Sequence, residues 1–315
     1  MEGFIPPIEC PTCKRKGRPG EEHFPVSGDG NTITVHCDCG TLIKVTDARD
    51  QFILSKHSLR ISGTSNYFEK GRLTLESGKS LMINFERPID IISKVSLTPN
   101  QPVIVAEYQV RRNGMTIISS AWVKGSLPKD PVSIDWAVEG LIELDTLPTW
   151  YVVFYNAIVL DLKAFHKVAL LEYEIAFEAF LGSLLRTVLA DRLGKEAADY
   201  MLSQTRRIED RCTKLLNFAI GHKLSECTRL YNDWQRLVQE PRNRIMHGGN
   251  TLISKEESED AHQIVYQAIR WMQKVSGNPE HPLGVLKWRG MAGTVSVPAG
   301  STSVEVKFPK PIESA

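Results

Sequence analysis

LPTWYVVFYNAIVLDLKAFHKVALLEYEIAFEAFLGSLLRTVLADR, residues 147–192, is where the character of the chain changes. From Trp150 to Arg192 there is no proline, and Ala, Leu, Glu and Phe recur at spacings of three and four, the period of a helix with one buried face. The spacing predicts a helix pair or one long broken helix. Upstream, from about residue 50 to 147, short apolar runs such as LTLES, SLMINF and VIVAEYQV are broken by Gly, Pro and Asn and read as strands. A β-rich half and a helical half in one chain make a multidomain α+β protein.

Beyond Arg192, helical stretches are predicted over about 195–220 and 223–240. Pro241 is expected to open a short helix closed by Gly248-Gly249. The last helix is the best marked. Ser254-Lys-Glu-Glu257 is a capping box, in which the Ser hydroxyl and the Glu carboxylate each satisfy an amide left open at a helix start. Ala261, Ile264, Val265, Ala268, Ile269 and Met272 follow as a buried stripe. After Gly277 the composition reverts, and GTVSVPAGSTSVEVKF reads as two strands around a Pro-Ala-Gly turn, a trailing hairpin able to pack back on the middle β-domain.

Between VIVAEYQVRR and MTIISSAWV, Asn113-Gly114 is a hairpin signal because both residues tolerate positive φ. The middle of the chain is therefore expected to be a β-sandwich or barrel. Residues 1–46, rich in Pro and Gly with extended segments at 32–36 and 41–45, form a small β-rich unit. The expected domains are 1–46, 47–147, 148–278 and 279–315.

Composition narrows the partners. Among 315 residues, 38 Lys and Arg stand against 37 Asp and Glu, so no global charge draws the chain to nucleic acid or membrane. No stretch reaches the roughly 20 apolar residues of a membrane span, and the start lacks the apolar run of a secretion signal. The expectation is a soluble, cytoplasmic protein. Four of six cysteines fall in the first 40 residues in close pairs, which in a reducing compartment points to metal. Cys212 and Cys227 lie in helical sequence and read as core thiols.

Cys10-Pro-Thr-Cys13 and Cys37-Asp-Cys39-Gly40 supply two thiol pairs on a segment long enough for a hairpin to bring them together. This resembles a zinc ribbon. Structural zinc takes four tetrahedral ligands, and its binding energy would fold a unit with little core of its own. The second pair has one intervening residue where two are usual, so His36 is an alternative ligand to one thiolate. A redox pair or disulfides are the competing reading. Lys14, Arg15, Lys16 and Arg18 beside the first pair suit a nucleic-acid reader, although exposed basic residues are often only a solvated face.

Pro241-Arg-Asn-Arg-Ile-Met-His-Gly-Gly249 carries the densest chemistry. On a helix Asn243 and His247 share a face, and Arg242 reaches the same spot from the flank. With Pro241 at the helix start, Arg242 and Asn243 would sit in the first turn, where open amides and the positive dipole end favour an anion such as phosphate. His247 can take and give a proton near neutral pH. Glu172, Glu174 and Glu178 on the early helix could face this motif, but three acids so placed are expected to be a solvated face. The remaining histidines show no partner spacing.

Arg242-Asn243 followed by His247 resembles the Rx4-6H signature of HEPN domains. KVALLEYEIAFEAFLGSLL at 167–185 is similar to their early helix pair, and SKEESEDAHQIVYQAIRWM at 254–272 to their last helix. The resemblance covers roughly 148–275. It implies a helical bundle performing metal-independent endoribonuclease cleavage of RNA, in which the ribose 2′-hydroxyl attacks the neighbouring phosphate. His247 would be general acid or base, Arg242 would steady the phosphorane charge, and Asn243 would orient the phosphate or the histidine. It also implies a homodimer through the helical domain, so that two histidines meet at a composite cleft. A toxin or antiviral defence effector, with the N-terminal domains sensing a trigger, an antitoxin partner or the substrate, follows by analogy. The alternative is a non-catalytic nucleic-acid-binding or adaptor protein that keeps the zinc site and the bundle.

Overall fold

The computed structural model describes residues 8–10, 12–17, 26–27, 34–44, 53–54, 61, 64–75, 79–99, 105–119, 132–248, 252–277, 294–296 and 305–306. Helices and antiparallel sheets are both present, as expected of an α+β chain. The path divides into two compact units. One takes in 1–45, 61–144 and 285–315; the other takes in 46–60 and 145–284. Among the described residues no helix is long and apolar enough to cross a membrane.

In the first unit the N-terminal segment forms two small sheets. β1 (Ile8–Glu9) pairs with β2 (Lys16–Gly17), while β3 (Val26–Ser27), β4 (Thr34–His36) and β5 (Leu42–Lys44) make a meander. Six longer strands follow: β6 (Tyr67–Leu75), β7 (Ser80–Asn84), β8 (Ile91–Pro99), β9 (Val105–Arg111), β10 (Gly114–Ser119) and β11 (Val132–Leu141). β6, β11 and β8 belong to one sheet, and β7, β10 and β9 to another. Alternate residues of both sheets, among them Leu73, Leu75, Ile134, Trp136 and Val138 from the first and Leu81, Ile83, Met115 and Ile117 from the second, meet in one core. Period-two burial along β6 has its cause here, since every second side chain leaves water for that core.

β9 and β10 form the hairpin expected at Asn113-Gly114, with Arg111 paired to Gly114. Its cause differs from the expected one, because neither Asn113 nor Gly114 has positive φ. Gly114 is needed for space: a Cβ there would lie 2.3 Å from the Ile83 carbonyl oxygen of β7. The tail corrects the sequence reading more strongly. β12 (Thr294–Ser296) and β13 (Glu305–Val306) do not pair with each other as a hairpin. β12 runs parallel to β6 and β13 parallel to β7, so the tail contributes one strand to each sheet.

The second unit is helical: α1 (Thr149–Leu162), α2 (His166–Leu193), α3 (Lys195–Gln204), α4 over 208–220, α5 over 228–246 and α6 (Lys255–Val275). The broken helix expected over 150–192 breaks at Lys163–Phe165, where Ala164 takes positive φ. Aromatic side chains tie four helices together. Phe154 of α1 lies 5.5 Å from Tyr173 of α2 and 5.4 Å from Tyr266 of α6, between ring centroids, and Phe177 of α2 lies 5.1 Å from Trp234 of α5. The Ser254 capping box is formed as expected, with Glu257 N donating to Ser254 Oγ at 3.1 Å and Ser254 N to Glu257 Oε2 at 2.8 Å. All six residues of the expected α6 stripe are buried. Ile53, from the segment between β5 and β6, is buried too, and Gln263 of α6 donates to the Leu54 carbonyl.

Pro241 does not open a helix. α5 is already helical at Gln239, and Gln235–Gln239 is wound as a π-turn that ends two residues before the proline, at Gln239. A proline ring inside a regular α-helix clashes with the carbonyl four residues back and leaves it without a donor. The wider π-turn takes up both defects and the helix continues.

Candidate functional site

Two groups of side chains carry chemistry, one in each unit. In the first, Cys10, Cys13, Cys37 and Cys39 place their sulfurs within 4.8 Å of one another, a set that could hold one metal ion. Two matching loops bring them there. Cys10 N donates to Arg15 O and Lys14 N to Cys10 O; likewise Cys37 N donates to Thr41 O and Gly40 N to Cys37 O. Lys14 and Gly40 both adopt positive φ to close these turns. The second loop closes over three residues and the first over four, which is how a one-residue spacing still aims both sulfurs inward. Sγ–Sγ distances are 3.5 Å for Cys10 to Cys39 and for Cys13 to Cys37. His36, the alternative ligand, does not belong to the group. Thr41 donates to Thr12, and Arg15 pairs with Asp38 at 2.9 Å, so polar side chains also bridge the loops. The amide of Cys13 is the chief cause that lowers the Cys10 thiol, while, against the Cys39 amide, burial and the three neighbouring thiols push the Cys37 thiol up, so the four groups share their protons and titrate together.

In the second unit Arg242, Asn243 and His247 follow one another along the last turns of α5. Arg242 is half-buried, and its Nη1 donates to Asn243 Oδ1 at 3.1 Å. His247 is exposed and ends the helix, its amide donating to the Asn243 carbonyl at 3.0 Å, while Gly248 turns the chain with φ +81°. The expected closure at Gly248 is present, and Gly249 falls outside the described residues. The expected helix start is not, so Arg242 and Asn243 have no open amides or positive dipole end beside them. Any phosphate held here would be held by side chains.

Glu174 corrects the sequence reading. It was expected on a solvated face, yet it is 1% exposed in the first half of α2, and Gln239 of α5 donates its side-chain amide to Glu174 Oε1. Burial first, then the nearby Glu178 carboxylate, lift the Glu174 carboxyl well above its usual range; the Trp234 indole and the Arg242 charge act against them. Gln239 stands one turn before Arg242 and Asn243 on α5. The flank thus passes from a buried carboxyl, through a half-buried guanidinium, to an exposed imidazole.

No family model, curated protein or solved structure matches the chain.

Gln239 escaped the sequence reading because a glutamine in a helix carries no periodic or motif signal. Two histidine partners escaped as well. Asp161, its side chain fully buried, lies 2.6 Å from His166 Nδ1 across the α1–α2 turn, and His222 lies 3.0 Å from Glu226. The four-residue spacing of the second pair was a usable signal.

Proposed function

We propose that the chain is a HEPN-type endoribonuclease that cleaves RNA without a catalytic metal, with a zinc ribbon at its N-terminal end. The observation that carries this reading is the α5 flank. His247 is exposed where a substrate can reach it, and Arg242 is tied to Asn243 beside the Glu174–Gln239 pair. In the reaction the ribose 2′-oxygen attacks the adjacent phosphorus and the 5′-oxygen leaves, giving a 2′,3′-cyclic phosphate and a 5′-hydroxyl. His247 takes the 2′-hydroxyl proton or supplies one to the leaving oxygen, and the histidine of a second copy serves the other role. Arg242 offsets the charge on the equatorial oxygens, and Asn243 orients the phosphate. A toxin or defence role, with an antitoxin or trigger as partner, remains by analogy.

Zinc suits the cysteine group. At Zn–S distances of about 2.3 Å a tetrahedron has sulfur–sulfur edges of about 3.8 Å, and the four sulfurs already lie at comparable separations. Cys10, Cys13, Cys37 and Cys39 would hold the ion as a closed structural site, where it supplies folding energy and no open position for catalysis.

A second reading is a non-catalytic nucleic-acid-binding or adaptor protein, and its adaptor form is favoured by one observation: the motif lies inside a continuous helix and so lacks the anion-binding amides of a helix start. Incubation of purified protein with total RNA, in EDTA and beside His247→Ala, separates the two. Cleavage leaving cyclic phosphate ends and lost in the variant supports the enzyme. Equal cleavage by both proteins takes His247 out of the chemistry, and no cleavage by either with RNA still bound supports the second reading.

A further inference from the structure

One face of the helical unit lacks a cover that its chemistry calls for. Along the α1–α2 turn and the first half of α2, Leu162, Phe165, Val168 and Ile175 stand 41%, 56%, 45% and 50% exposed. On α2, Val168, Leu171, Ile175, Ala179 and Gly182 follow at spacings of three and four and so share one face. Gly182 lies deep inside a long helix, where glycine weakens the structure, and a Cβ built on it meets nothing within 4 Å. No neighbour among the described residues therefore requires that glycine. Lys167 and Glu178 flank the same face and form no ion pair among the described residues.

We propose that this face of α2 packs antiparallel against the same face of a second copy of the chain. The sequence of the face is complementary to itself. A two-fold axis beside Glu172 sets Phe165, at the start of α2, opposite Ala179 of the second copy, Val168 opposite its Ile175 and Lys167 opposite its Glu178. Each pair is centred within about one residue of the same point, and at about 1.5 Å of rise per residue side chains absorb the remainder. Bulky residues in the first part of the face meet small ones in the second. Each contact occurs twice, as in any isologous interface. Two antiparallel helices related in this way present like flanks to each other, which puts Lys167 and Glu178 on a common edge. Glu172 then faces its own copy across the axis. Its carboxyl is already raised by burial, and it is the one like-charged approach in the arrangement.

The inference takes from the ribonuclease reading only the need for a second copy; the surface rests on its own residues. Sedimentation velocity of the full chain over a range of concentrations tests it. The wild type is expected to form a reversible dimer. Ile175→Glu and Gly182→Leu should each weaken self-association by at least about tenfold with helical circular dichroism unchanged, the second because its added atoms enter space that is open in one copy. Lys167→Glu should weaken the dimer, Lys167→Glu with Glu178→Lys should restore it, and Glu172→Gln should tighten it. A wild type that stays monomeric, a dimer indifferent to both Ile175→Glu and Gly182→Leu, or a charge swap that fails to restore association overturns the proposal. The two readings fail separately. A dimer that cuts no RNA removes the ribonuclease and leaves the surface, while cleavage by a monomer removes the surface and the second copy's histidine and leaves the ribonuclease.

Discussion

Gln239 donates its side-chain amide to the buried carboxyl of Glu174, which joins the turn before Arg242 to the first half of α2. The direction of the bond matters, because a neutral carboxyl accepts it without the cost of burying a charge. Glu174→Gln should therefore be tolerated, with a melting temperature close to that of the wild type. Glu174→Ala strands the Gln239 amide and opens a cavity, at a cost of about 2–4 kcal/mol. Thermal unfolding of both variants checks this. Equal losses would mean that Glu174 is ionised and held by Arg242.

Glu69 should make the β unit lose stability as pH rises. It lies 1% exposed on the core face of β6, receives a hydrogen bond from Tyr67 at 2.5 Å, and burial lifts its carboxyl from 4.5 to about 7. Between those values the folded chain keeps a proton that the unfolded chain has lost. Stability from this group is thus full below about 4.5 and falls as pH climbs to about 7. At about 1.4 kcal/mol per pH unit the loss is on the order of 3 kcal/mol. Unfolding curves of the wild type and Glu69→Gln at pH 4.5 and 7.5 should diverge toward the higher pH; parallel curves would refute the assignment.

Metal content should be one zinc per chain in protein purified without chelator. Cys13→Ser and Cys37→Ser should each abolish it, and chelation should expose the first 45 residues to protease while the helical circular dichroism stays in place, because the binding energy is local to the two loops. Elemental analysis showing no metal in the wild type would reject the site.

Gly114→Ala should destabilise the hairpin through contact alone. Its added methyl would meet the Ile83 carbonyl, a backbone atom that cannot swing aside. A cost of about 1–3 kcal/mol is expected, and chemical denaturation measures it. An unchanged midpoint would mean that β7 and β10 can separate locally.

His247→Ala should lower RNA cleavage on the order of 10²–10⁴-fold with little loss of stability, since the residue is exposed at a helix end. Arg242→Lys should rescue poorly: a point charge cannot span both Asn243 and a phosphate as a planar fork does. Full activity in the lysine variant would confine Arg242 to a simple charge role.

What could be read from the chain followed the range of each signal. The capping box at Ser254, the α6 stripe and the two cysteine pairs are local patterns, and each stands in the structure where its spacing put it. Pro241 misled because the remedy for a buried proline, a π-turn over Gln235–Gln239, leaves no mark in composition. Glu174 misled because burial beside Gln239 depends on how α2 meets α5, which no single-helix pattern encodes. The tail misled for a similar reason: two short strands around a turn satisfy hairpin rules equally well when each joins a different sheet.

That last arrangement bears on how the chain survives its own synthesis. β12 and β13 lie at the ends of the two four-stranded sheets, over the outer rims of β6 and β7. A strand rim left bare offers a row of open amides and carbonyls to any neighbouring chain. Until residues 294–306 have been made, β6 over Arg72–Thr74 and β7 over Met82–Ile83 lack these partners and depend on not meeting another nascent copy. A truncation after residue 284 would keep both cores and lose both guards, and its fate should be aggregation in preference to unfolding.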